Sequence, residues 1–338
     1  MTASRVLTTL VGSYPVPDWL VAAPSQQALR DATAVIFHLQ ELAGIDLLVD
    51  GELYRFDINH PETNGMIDYF IRPMAGIRTV LSRAERAEFR RQAGMAYRAE
   101  PAGIVTGPIG EGSLDLVRDF ERARVLTTRP LKFTVTGPHM LSKVLLDRHY
   151  GDRAALAMAL ADVLAAQVAE IAADAIQIDE ANLPGAPHEG EWAAAAINRV
   201  LAACRGEKAV HLCFGNYGGQ VIQRGTWEAL LPFFDALQAD VLILEFAHRG
   251  YAELDCLRDL RREIGLGIGV IDIKSTVIET PEEIARRLEH AARVLGPERL
   301  RYAHPDCGFW MLKRSVVDAK IRALVRGRDL FEGRASDA

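Results

Sequence analysis

Eight short apolar runs along this chain each end at a polar or glycine-containing turn, and after seven of them a segment with apolar residues at helical spacing follows. The runs begin near residues 7, 45, 132, 175, 209, 241, 268 and 300, and the helical segments cover about 25–43, 153–174, 189–203, 226–239, 252–263, 280–295 and 313–325. A strand that is followed by a helix and then by another strand pairs in parallel, because the helix carries the chain back to the starting edge. Eight such units predict an α/β fold of the (β/α)8 TIM-barrel type, a single domain over residues 1–338. The rhythm breaks once, over residues 54–130, where Asn59-His60-Pro61, Gly65 and a charged helical stretch at 82–91 follow one another irregularly. Because strand-helix alternation resumes directly afterwards, this stretch reads as a long insertion after the second strand.

Barrel enzymes build their sites from the C-terminal ends of strands, so polar residues at those ends should meet on one rim. They are Ser13, Glu52, Asp179, His211, Cys213, Glu245 and Cys307. His211 and Cys213 sit two positions apart in Val210-His211-Leu212-Cys213-Phe214, which on a strand points both side chains to one face about 7 Å apart. Imidazole and thiolate are preferred donors for zinc. A cysteine in an apolar strand is also an ordinary small core residue, and its neighbouring histidine can be buried and hydrogen-bonded. The convergence of His, Cys, Glu and Cys from three strand ends favours the metal reading.

Bulk properties narrow the partner. With 49% hydrophobic residues, 25% charged residues and a net charge of −6, the chain has neither the basic excess nor the Lys/Arg runs that nucleic acid or an anionic membrane would call for. A small-molecule substrate is expected. No apolar stretch resembles a signal peptide or a membrane span, and four scattered cysteines do not make a disulfide framework, so a cytoplasmic location is expected.

The motifs His-Leu-Cys at 211–213, Leu-Glu-Phe at 244–246 and Pro-Asp-Cys-Gly at 305–308 resemble the catalytic barrel of cobalamin-independent methionine synthase, over a span from about Thr8 to Arg326. The resemblance implies Zn²⁺ on His211, Cys213, Glu245 and Cys307. It also implies that Gly12 and Ser13, with Glu52 and Asp179, hold the amino and carboxyl groups of homocysteine. Two thiolates, one carboxylate and a neutral imidazole would surround the metal with a formal charge of about −3, an electron-rich shell that keeps a bound sulfur nucleophilic. As the least soft donor, Glu245 would be the ligand to yield to the substrate.

Three departures from the family pattern bear on the methyl donor. Longer members carry an additional N-terminal barrel, expected to be absent here. The tryptophan that stacks on a pterin is missing after Gly137-Pro138, where the sequence reads His139-Met140-Leu141-Ser142-Lys143, and Lys274 replaces a relay histidine. His139 and Lys274 therefore join Glu245 as catalytic candidates, and the donor is expected to be methylcobalamin or a corrinoid protein rather than a folate. Should a pterin bind, Trp310 or Tyr217 would have to supply the stack. The alternatives are alkyl transfer from an epoxyalkane to coenzyme M, and a non-catalytic barrel that binds zinc or a thiol.

Overall fold

In the computed structural model, which describes residues 5–57, 65–91, 98–216 and 220–334, eleven strands appear. They are β1 Leu7–Thr8, β2 Leu48–Val49, β3 Ala75–Arg78, β4 Gly103–Gly110, β5 Leu131–Thr136, β6 Leu145–Asp147, β7 Ala175–Glu180, β8 Glu207–Leu212, β9 Val241–Leu244, β10 Gly265–Ile271 and β11 Leu300–Pro305. Eight of them form one curled, all-parallel sheet in the order β1-β11-β10-β9-β8-β7-β5-β2. The two end segments meet through parallel bridges Thr9↔Leu47 and Ser13↔Gly51. Asn59-His60-Pro61 and Tyr217 lie outside the described residues.

Alternation along the strands explains what fills the curl. Val11, Leu47, Ala175, Ala209, Val241, Ile243 and Tyr302 form a small apolar cluster of their own. A step of two residues keeps the same face, so Gln177 and Asp179 follow Ala175, while His211 and Cys213 follow Ala209. By the same step Glu245 follows Ile243. Register pairs Lys132 with Ala175, Thr134 with Gln177 and Asp179 with His211. The inward face is thus apolar at the bottom and polar at the C-terminal end. On β10 the inward positions Gly267 and Gly269 carry no side chain, and a Cβ there would lie 2.9 Å from His304 Nε2 and 2.2 Å from Asp306 Oδ1.

The larger core lies between the sheet and its outer helices. Gln26–Ala43, Arg153–Ala169, Gly190–Leu201, Pro281–Leu295 and Arg314–Phe331 match the expected segments, and Thr280 with Glu283 closes a capping box at the start of Pro281–Leu295. Two expected helices differ. Within 252–263 the chain winds as a 3-10 helix, Ala252–Asp259, because Leu254, Leu257 and Leu260 recur every third residue and all are buried, a spacing that a three-residue turn aligns. Within 226–239 the α-helix is confined to Leu231–Ala236, whose first turn contains Pro232, a residue without the N–H that an earlier start would use.

The stretch 54–130 has its own structure. It holds β3 and β4, which with β6 make a second, three-stranded sheet, and the helix Leu116–Arg124, which packs between Gln26–Ala43 and Arg153–Ala169. Among the described residues no helix is long and apolar enough to cross a membrane.

Candidate active site

The C-terminal strand ends open into a cleft lined by Ser13, Glu52, Asp179, His211, Cys213 and Cys307, together with Met66, Ile67 and Arg98 from the 54–130 stretch. Strand alternation accounts for the first group, and tertiary packing brings in the second.

One wall is a compact set of soft donors. His211, Cys213 and Cys307 offer ligand atoms that all lie within 4.8 Å of one another, the one such group among the described residues. The two sulfurs are 3.7 Å apart; the edge of a zinc-thiolate tetrahedron with bonds of about 2.3 Å is about 3.8 Å. His211 Nδ1 is 2.9 Å from the Ile243 carbonyl oxygen, which can only accept, so Nδ1 carries the proton. Nε2 is then a bare lone pair, buried and without a partner in the protein. Burial, with the nearby His304, pushes the His211 pKa down to about 3, which keeps the ring neutral and able to ligate. An orphaned imidazole nitrogen facing two thiols fits a metal ion.

Glu245 stands outside that group. Its Oε1 accepts a hydrogen bond from Lys274 Nζ at 2.9 Å and its Oε2 accepts from Phe214 N at 2.9 Å. Burial works against the Lys274 charge, but Glu245 and the two thiols outweigh it and hold the ammonium above the ordinary lysine range. Asp306 fixes the following turn by accepting from the backbone N–H groups of Phe246, Ala247 and His248 at 2.7–2.9 Å.

Beside it the cleft carries an acidic group, Glu52 and Asp179. Glu52 adopts φ +59°, a left-handed conformation uncommon outside glycine, reached through Gly51 at φ +81° and held by a hydrogen bond from its N–H to Asp50 Oδ1. Its Oε1 accepts from Thr134 Oγ1 at 2.5 Å, and its Oε2 lies 3.2 Å from Arg55 Nη1. A Cβ on Gly12 would sit 2.1 Å from Glu52 Oε1, so glycine there makes room for the carboxylate. Gly308 does the same for Ser13, whose Oγ would lie 2.0 Å from an added Cβ. Asp179 accepts from Gln177 Nε2 at 2.6 Å, and Gln177 in turn accepts from the buried Lys132 at 2.5 Å. Burial, then repulsion from Glu52, pushes Asp179 up to about 8.

His139 is fully buried rather than lining the cleft. Its Nδ1 lies 3.0 Å from Glu180 Oε2 and its Nε2 2.8 Å from Glu189 Oε2, and Lys143 pairs with the same Glu189. Burial opposes its charge, but the two carboxylates hold it up to about 8. It ties the helix Pro138–Lys143 to the segment after β7, and Met140 of that helix reaches the cleft. Trp310 lines the cleft and is half exposed. Sequence reasoning overlooked Arg55, Lys132, Gln177 and Asp306. For Lys132 and Gln177 a signal existed, since both are polar residues at inward positions of apolar strands; for Arg55 none did.

The model of the cobalamin-independent synthase catalytic domain matches residues 6–328. The chain belongs to that family. It is therefore an enzyme of the methionine synthase type of methyltransferase. A methionine synthase of Sulfurisphaera tokodaii is 30% identical over 336 residues, covering 95% of this chain and 90% of that one. One of Thermococcus kodakarensis is 30% identical over 340 residues, covering 96% and 92%. Among solved structures, a B12-independent methionine synthase from Shewanella sp. W3-18-1 in complex with selenomethionine superposes with a TM-score of 0.81 at 25% identity, covering 98% of both chains.

Proposed function

We propose that this chain is a zinc-dependent thiol methyltransferase that converts homocysteine to methionine, built as one (β/α)8 barrel with residues 54–130 inserted. The observation that carries the reading is the pairing, in one cleft, of a soft three-donor cluster with two buried carboxylates. His211, Cys213 and Cys307 would hold the metal. Zinc supplies, when bound, the acidity that removes the proton from a substrate thiol at neutral pH. Glu52 and Asp179 receive the substrate ammonium, and Gly12 and Ser13 lie where the carboxylate end would sit. Two buried carboxylates suit an amino acid and repel coenzyme M, whose sulfonate is anionic and which carries no ammonium. The complex of the Shewanella relative with selenomethionine, the selenium analogue of methionine, supports an amino-acid thioether as product.

For the donor we propose methylcobalamin or a corrinoid protein. The helix after Gly137-Pro138 offers Met140 to the cleft instead of an aromatic ring, and His139 is turned inward. Purified protein supplied with zinc and homocysteine should produce methionine from methylcobalamin and little from methyltetrahydrofolate. Comparable methionine from the folate would sink the donor assignment and point to Trp310 as the stacking ring.

Gly12→Ala offers a narrower test of the acidic wall. The added methyl displaces the Glu52 carboxylate from Thr134 and Arg55, so KM for homocysteine should rise about tenfold or more at unchanged zinc content. An unaltered KM would remove Glu52 from the substrate site.

A further inference from the structure

We propose that Lys132 is a positioning residue for the amino-acid end of the cleft. Its buried ammonium sets which way the Gln177 amide faces, and Gln177 then presents Asp179 to the substrate with one oxygen taken and the other open. This inference rests on the reading of Asp179 as a receptor of the substrate ammonium.

Lys132 lies at an inward position of β5, opposite Ala175 in register, and is 1% exposed. Its Nζ donates to Gln177 Oε1 at 2.5 Å and to Leu10 O at 2.6 Å. Gln177, on the neighbouring β7, is wholly buried. With its oxygen held by the ammonium, its amide nitrogen turns the other way and donates to Val11 O at 2.8 Å and to Asp179 Oδ1 at 2.6 Å. The opposite flip would set the amide oxygen against two oxygens and the amide hydrogens against an ammonium, so one orientation is selected. Among the described residues no protein donor bonds Asp179 Oδ2, and that oxygen is left for the ligand. Burial pushes Lys132 down to about 7, against the pull of Asp179, Glu207 and Glu52. An ionised Asp179 therefore favours the charged lysine, and the charged lysine favours the ionised Asp179.

The network reaches beyond this pair. Leu10 and Val11, whose carbonyls Lys132 and Gln177 clamp, run directly into Gly12 and Ser13 at the carboxylate end of the proposed site. Two residues along β5 from Lys132, on the same face, Thr134 donates to Glu52 Oε1. One strand thus supports both carboxylates, Glu52 through a hydroxyl and Asp179 through an ammonium and an amide. A lysine is a costly way to fill the curl of a sheet, because an apolar side chain would do so without desolvating a charge. Packing does not call for that charge, whereas aiming Asp179 and favouring its ionised form does. The ligand ammonium meets Asp179 first and Lys132 only beyond the Gln177 amide, so the support given to the carboxylate outweighs the repulsion between the two cations.

Calorimetry with methionine and with its deamino analogue, which lacks only the ammonium, separates positioning from packing. The unmodified protein should bind methionine more tightly than the analogue. Lys132→Met keeps the length of the side chain and removes the charge. It should weaken methionine by about tenfold or more, the scale of one hydrogen bond to a charged group, and the analogue by less than about threefold. In an Asp179→Asn background the same substitution should cost methionine less than about threefold, since the group it acts through is gone. Equal weakening of both ligands in Lys132→Met would make the lysine a packing residue and overturn the proposal. An unchanged affinity for methionine would do the same, as would an undiminished loss in the Asp179→Asn background. If Lys132→Met does not fold, Gln177→Met decides, because it keeps the lysine and removes the amide. A loss confined to methionine supports the relay there, and an equal loss or none overturns it. An unmodified protein that does not favour methionine over the analogue overturns the ammonium reading of Asp179 instead, before any variant is made.

Discussion

Cys307→Ser is expected to lose its zinc and with it about 10³-fold in methyl transfer. Without the metal a thiol with a pKa near 8.5 is only about 3% ionised at pH 7, which accounts for about 30-fold. Loss of the sulfur's anchor removes positioning, where a displacement of about 1 Å can cost up to about 10²-fold. Metal analysis and turnover on the same preparation check both parts. Cys204→Ser and Cys256→Ser are the controls. Cys204 Sγ donates to Val200 O and Cys256 Sγ to Glu253 O, each within its own turn of chain, so both variants should keep a full complement of zinc. Undiminished zinc in the Cys307→Ser protein would remove this cysteine from the site.

The second large effect concerns the acidic wall and its proton. Replacing Glu52 or Asp179 with alanine should weaken homocysteine binding by about 2–4 kcal/mol, the cost of leaving a buried charged partner unpaired. Thiols without an ammonium group should be affected far less. Asp179 adds a pH signature. Its carboxyl is pushed up to about 8, so below that pH the empty cleft holds a proton on it. The substrate ammonium favours the ionised form, and binding must release that proton. Affinity should therefore rise as pH increases towards 8, Asp179 contributing about tenfold per unit well below it on top of the rise from the thiol's own ionisation. Calorimetry in buffers of different ionisation enthalpy should record about two protons released per homocysteine bound at pH 6.5, one from Asp179 and one from the thiol that zinc takes up as thiolate. In Asp179→Asn the release should fall by about one proton and the slope by about one power of ten per pH unit, leaving the thiol's share; an unchanged release would assign the second proton to another group.

The pairing of Glu52 with Arg55 belongs to the same picture. Arg55 lies within 5.1–5.6 Å of the rings of Tyr54, Tyr69 and Phe70 and donates to Thr134 O at 2.6 Å, so it neutralises Glu52 from behind while the free side of the carboxylate faces the cleft. Lys132 does similar work beneath Asp179 through Gln177. With these two cations balancing the carboxylates behind it, the acidic group can receive an ammonium while the soft donors receive a sulfur.

What could be read from the chain alone is what depends on short-range periodicity. A step of two residues puts His211 and Cys213 on one face whatever surrounds the strand, and repeated strand-helix alternation leaves few topologies besides a parallel curled sheet. For the same reason the strand-end residues Ser13, Glu52, Asp179, His211, Cys213, Glu245 and Cys307 could be nominated together, and all but Glu245 line one cleft. Tertiary structure alone decided the partners. Glu245 and Lys274 are 29 residues apart and pair only because β9 and β10 are neighbours. His139 turns inward because Glu180 and Glu189, some 40 to 50 positions further along the chain, converge on it. Distance in sequence likewise hid the role of Asp306, whose N–H donors begin 60 positions earlier, and the pairing of β6 with β4 that ties the 54–130 stretch into a second sheet. Local pattern determines which way a side chain points, whereas the charge it meets there is set by residues that only folding brings near.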